Sequence, residues 1–77
     1  MNLYEIGDRI KKLRKEHKMT QAELATLAGV SRVTLSKIER GYFGSVSVKT
    51  LDVIVNALGC EIDLKTKNSF GLPVLGE

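Results

Sequence analysis

Three stretches of the chain open on the same signal, and that signal confines the fold to short helices. Met19-Thr20 precedes Glu23-Leu24, Val30-Ser31 precedes Thr34-Leu35, and Val46-Ser47 precedes Thr50-Leu51. In each, a hydroxyl can accept from a backbone amide that the first turn of a helix leaves without a partner. The apolar residue before the cap can pack on the apolar residue four positions after it. Only the first stretch carries a full capping box, because Glu23 can reach back to the amide of Thr20. Each cap contributes about 1 kcal/mol, so helices are expected to start at Gln21, Arg32 and Val48. Gly29, Gly41 and Gly59 each follow an apolar-periodic run and can take the left-handed conformation that closes a helix. Upstream, Leu3, Ile6, Ile10 and Leu13 recur at helical spacing, with Lys11, Lys12, Lys15 and Lys18 on another face. Four helices are predicted, near 3–17, 21–28, 32–40 and 48–58.

Beyond Gly59 the pattern turns to alternation, with Cys60, Ile62 and Leu64 on one side and Glu61, Asp63 and Lys65 on the other. That is a half-buried strand over 60–66. A lone strand is not stable in water, and the sequence holds no second strand pattern, so a symmetric copy of the chain is the simplest partner. Residues 67–77 hold two glycines and the only proline and read as a tail, although Phe70, Leu72, Val74 and Leu75 are apolar. The expected organisation is a helical domain over 1–58, a dimerisation strand over 59–66 that uses Cys60, Ile62 and Leu64, and a tail over 67–77.

At 77 residues the chain has room for one domain, and one that buries only about 60% of its unfolded surface, so partners can add to its stability. A single Cys rules out an intramolecular disulfide and suits a reducing cytoplasm, with Cys60 read as a small buried hydrophobe. No run reaches the roughly 18 apolar residues of a membrane span, and Glu5 and Asp8 do not fit a signal peptide, so a cytoplasmic location without membrane is expected. His17 has no Cys, His or paired carboxylate at metal-ligand spacing. Catalysis, metals and cofactors are therefore not expected, and His17 reads as a surface or helix-terminal residue. Net charge is only +3, but its distribution is uneven. Residues 1–40 hold nine positive and five negative side chains, and residues 41–77 three and four. A basic half is the electrostatic footprint of a phosphate-binding surface, although a solvated lysine-rich face gives the same count.

On the third helix, a wheel at about 100° per residue sets Leu35 and Ile38 on one side. Arg32, Val33, Ser36, Lys37 and Arg40 share an opposite arc of about 140°. The second helix is expected to offer Leu24, Leu27 and Ala28 to the same core, with Val30 from the turn, and Ala25 is small enough for two helices to cross closely. The outcome is a short helix with a cationic outer face, of the kind an α-helix lying in a major groove presents to base edges.

Residues 20–41, Thr-Gln-Ala-Glu-Leu-Ala-Thr-Leu-Ala-Gly-Val-Ser-Arg-Val-Thr-Leu-Ser-Lys-Ile-Glu-Arg-Gly, resemble the helix-turn-helix of the Cro/C1-type (XRE) repressor family. The similarity runs over about residues 5–58 and implies an all-α, lambda-repressor-like domain, here with one C-terminal strand pairing across a dimer. It implies that Arg32, Val33, Ser36 and Lys37 face bases, that Gln21, Thr34 and Arg40 hold phosphates, and that Arg14 and Glu39 form a structural salt bridge. A helix-turn-helix followed by one strand and a short apolar tail is most similar to HipB-type antitoxins. That implies a homodimer on a palindromic operator and a HipA-like kinase toxin as a further partner. A stand-alone regulator of the same family, with no toxin, is the alternative.

Overall fold

The computed structural model describes residues 2–44 and 46–64. They form four helices, α1 (Leu3–Glu16), α2 (Gln21–Ala28), α3 (Arg32–Glu39) and α4 (Val48–Ala57), within one residue of the predicted spans at either end. The all-α class holds, and no helix among the described residues is long and apolar enough to cross a membrane.

One pair of devices bounds every helix. Asn2 caps α1, its side chain accepting from the Glu5 amide at 2.9 Å. Thr20, Ser31 and Ser47 accept in the same way from the amides of Glu23, Thr34 and Thr50, each at 3.0 Å. The Thr20 amide donates in return to Glu23 Oε1 at 2.9 Å. That bond holds the Glu23 carboxyl below its ordinary value of 4.5. What it adds to stability is fully present above that value and is lost as pH falls through the lower folded one.

At the other ends, two crossed backbone bonds close over a residue with positive φ. For α1 these are Met19 N–H to Arg14 O at 3.1 Å and Lys18 N–H to Lys15 O at 2.9 Å. Gly29, Gly41 and Gly59 close the other helices alike, so Lys18, at φ 56°, is the only side chain among the four. An L-residue pays about 1–2 kcal/mol for this conformation, and glycine does not. Lys18→Gly is therefore expected to raise stability by about 1 kcal/mol in urea titration, less glycine's extra unfolded-state entropy. A lower midpoint would show that the Lys18 side chain earns its place by another contact.

The caps aim the helices at one core. Ile10, Leu24, Ala25, Leu35, Ile38, Ile54 and Leu58 are buried, and Ala28, Val30 and Leu51 pack partly buried around them. α2 lies against α3 and α4, and α1 against α3. The α1–α3 crossing is close because Gly7 faces the last turn of α3. A Cβ on Gly7 would collide with Ile38 O and lie 2.9 Å from Glu39 O. One turn earlier, Tyr4 lies on Gly41, whose own Cβ would fall 3.0 Å from the tyrosine ring.

Three expectations are corrected. Leu27 is 56% exposed rather than inward. Leu24, Ala28 and Ala25 span an arc of about 100° that meets α3 and α4, and Leu27 falls outside it beyond Leu24. Leu3, at the end of the α1 stripe, is also exposed, because its first turn overhangs the core. Cys60 is exposed rather than buried. With Ile62 and Leu64 it lies on a segment, 60–64, that forms no ladder among the described residues. Residues 65 and 66 of the expected strand, and the tail over 67–77, lie outside the described residues.

Candidate nucleic-acid interface

Ser31 fixes where α3 begins, and Leu35, Ile38 and Glu39 fix which face it buries. Val33, Lys37 and Arg40 are thereby left exposed and Ser36 half-buried on the opposite side, and Arg32, on the flank beside Glu39, is exposed in the first turn. Val33 is 57% exposed, an apolar side chain among cations that nothing among the described residues covers. Thr34 is half-buried, its hydroxyl accepting from Ser31 Oγ at 2.9 Å. Arg40 Nε donates to Ser36 O at 3.3 Å, and its guanidinium lies 5.6 Å from the centre of the exposed Tyr42 ring. Arg40 is thus held at the end of α3 rather than free to sweep. Thr34, Lys37 and Arg40 line one shallow groove with Tyr42, Phe43 and Val46 of the following loop. Sequence periodicity says nothing of these loop residues, because an irregular segment has no period to read.

Behind this face stands a buried polar cluster. Arg14 and Glu39 are each 7% exposed. Arg14 Nε donates to Glu39 Oε2 at 2.7 Å and Nη2 to Oε1 at 3.2 Å, a two-bond fork. Nη1 donates to Met19 O at 2.8 Å, in the turn between α1 and α2. Gln21 Nε2 donates to Glu39 Oε1 at 3.1 Å, so one of its two amide hydrogens is already engaged. No buried side-chain nitrogen or oxygen among the described residues lacks a partner. The pair anchors the end of α1 and the start of α2 to the end of α3, which sets the tilt of the exposed face. No group of three or more His, Cys, Asp or Glu that could hold a metal ion occurs among the described residues.

Comparison with known proteins gives this geometry a family. The helix-turn-helix family model matches residues 10–65. The chain is 44% identical over 57 residues to the immunity repressor protein of Bacillus phage phi105, covering 74% of this chain and 39% of that protein. It is 49% identical over 49 residues to antitoxin PezA of Streptococcus pneumoniae, covering 64% of this chain and 30% of that one. The chain therefore spans well under two thirds of either relative. Among solved structures, SinR, the master regulator for biofilm formation, in complex with DNA, superposes with a TM-score of 0.64 at 39% identity, covering 73% of this chain and 89% of SinR. Hydroxypropylphosphonic acid epoxidase from S. wedmorenis superposes with a TM-score of 0.70 at 28% identity, covering 78% of this chain but only 31% of the epoxidase, so the likeness is one of helical fold. Capped short helices, a cationic α3 and the match over residues 10–65 agree: the chain belongs to the helix-turn-helix family of the Cro/C1 (XRE) type.

Proposed function

We propose that the chain is a non-enzymatic, sequence-specific DNA-binding repressor that lays α3 in the major groove. The observation that carries this reading is the exposed Arg32, Val33, Lys37 and Arg40 face, with half-buried Ser36, on a helix whose other side is locked into the core. Arg32 and Lys37 hydrogen-bond bases, Ser36 assists, and Val33 meets a thymine methyl. Gln21, Thr34 and Arg40 hold phosphates on either side. The likeness to a phage immunity repressor and to SinR, solved with DNA, supports it. Binding titrations against one site and its single-base variants separate the roles. Arg32→Ala is expected to flatten preference at one base pair, worth about 1–3 kcal/mol, and Arg40→Ala to weaken all sequences alike. Unchanged affinity of Arg32→Ala on every sequence would remove it from the reading set.

The repressor acts as a homodimer on a palindromic operator, with residues 60–66 pairing across the two copies and Cys60, Ile62 and Leu64 at the interface. The exposure of Ile62 and Leu64 in the single chain, 42% and 94%, supports this. Pairing would also cover a strand edge that invites aggregation. Sedimentation is expected to give a dimer at micromolar concentration, and a monomer would contradict the arrangement.

The likeness to PezA supports a second task, that of an antitoxin which restrains a protein partner and represses its own operon. The HipB-like plan of helix-turn-helix, strand and apolar tail favours a HipA-like kinase as that partner. Co-purification with the product of an adjacent kinase-like gene, abolished by deleting 67–77, is the expected result. Full repression with no such partner would leave a stand-alone regulator of the family.

A further inference from the structure

Gln21 is the only glutamine in the chain, and its position in the polar cluster is more than a packing detail. A carboxylate only accepts hydrogen bonds, so the amide nitrogen, and not the oxygen, must face Glu39. Glu39 cannot swing away, because Arg14 grips both of its oxygens and is itself tied to Met19 O. Arg14 and Glu39 complete an ion pair by themselves; Gln21 is an added member. It is half-buried, and its second amide hydrogen has no acceptor among the described residues. A phosphate is an acceptor that this hydrogen can serve. The rotamer freedom a loose glutamine would lose on grasping a phosphate is already lost in the free chain. The Arg14 charge also offsets that of Glu39, so an arriving phosphate is not repelled.

We propose that Glu39 is a positioning residue for DNA contact: through the Arg14–Glu39 pair, the scaffold holds the Gln21 carboxamide ready for a phosphate. The inference rests on the reading of α2 and α3 as the DNA-facing pair. Phosphate contact is independent of sequence, so a mixed-sequence duplex of about 20 base pairs is a sufficient probe. Affinity is measured by fluorescence anisotropy between about 50 and 200 mM salt for the wild type, Gln21→Ala, the double variant Arg14→Met with Glu39→Leu, and all three changes together. The double variant fills the buried site with apolar side chains of similar volume, and circular dichroism checks its fold.

Gln21→Ala is expected to weaken binding about tenfold at every salt concentration, with the slope of log affinity against log salt unchanged, because a neutral carboxamide displaces no counterion. The double variant should lose part of that affinity although it is folded, and the triple variant should lose no more than Gln21→Ala alone. A folded double variant with the wild-type affinity, or losses that add, would overturn the proposal while leaving DNA binding intact. Wild type that binds no duplex would overturn the DNA reading as well. If the double variant does not fold, nitrogen NMR of the DNA-free wild type decides. The single glutamine side-chain amide should relax like the backbone of α2, and rapid side-chain averaging would overturn the proposal.

Discussion

Glu39→Ala is expected to leave much of the chain unfolded at room temperature. The carboxylate it removes lies 7% exposed and accepts from Arg14 twice and from Gln21 once. Without it a guanidinium stays buried with one backbone carbonyl for company. Stripping one partner from a buried pair costs about 3–5 kcal/mol. Small domains hold about 5 kcal/mol at the low end, so that loss consumes most of the margin. Replacing both partners, by Arg14→Met with Glu39→Leu, removes the orphaned charge and is expected to restore a cooperative transition. Thermal melts by circular dichroism check both variants. A Glu39→Ala protein that melts with the wild type would mean that Arg14 reaches water without cost, against its burial here.

Gly7→Ala is the second large effect, and its sign opposes local propensity. Alanine is favoured over glycine in a helix interior by about 1 kcal/mol. The added methyl, however, meets backbone rather than a side chain that can turn aside. It collides with Ile38 O and comes within 2.9 Å of Glu39 O. Relief requires α1 to lift off α3, which opens the contacts around Ile10 and Ile38 and strains the Arg14–Glu39 fork. Overpacking of this kind costs about 1–3 kcal/mol, so after alanine's gain of about 1 kcal/mol a net loss of up to about 2 kcal/mol is expected in urea titration, with larger residues worse. A midpoint equal to or above that of wild type would contradict the close crossing.

These two sites differ in how far sequence exposes them. Ser, Thr and Gly signals are local, acting within four residues of where they are written, so Thr20, Ser31 and Ser47 and the three closing glycines set out α2, α3 and α4 in advance. α1 was found by periodicity alone. Its cap, Asn2, carries an amide where the other three caps carry a hydroxyl, and its closing residue, Lys18, does not look like a helix stop, because lysine takes the left-handed conformation only when the surroundings hold it there. Gly7 leaves one mark, an interruption in a helical pattern, which does not tell which backbone approaches it. Leu27 shows the opposite failure: periodicity gives an apolar arc but not its edges, which are fixed by where α3 and α4 lie. The Arg14–Glu39 relation was legible only through family resemblance, since a separation of 25 residues has no local signature. Family resemblance implies only a phosphate contact for Gln21, and its bond to Glu39, 18 residues away, emerges only once α2 and α3 are packed. The outward face of α3 was readable because a single helix wheel decides it.

That face is the centre of the account, and selection of bound duplexes from a random pool tests it most directly, with wild type and Arg32→Ala in parallel. The wild type is expected to enrich an inverted repeat with half-sites one helical turn, about 34 Å, apart. Arg32→Ala should enrich the same repeat with one base pair of each half-site no longer specified. No enrichment by the wild type, or an Arg32→Ala motif identical to it at every position, would contradict the assignment of α3 as the reading helix.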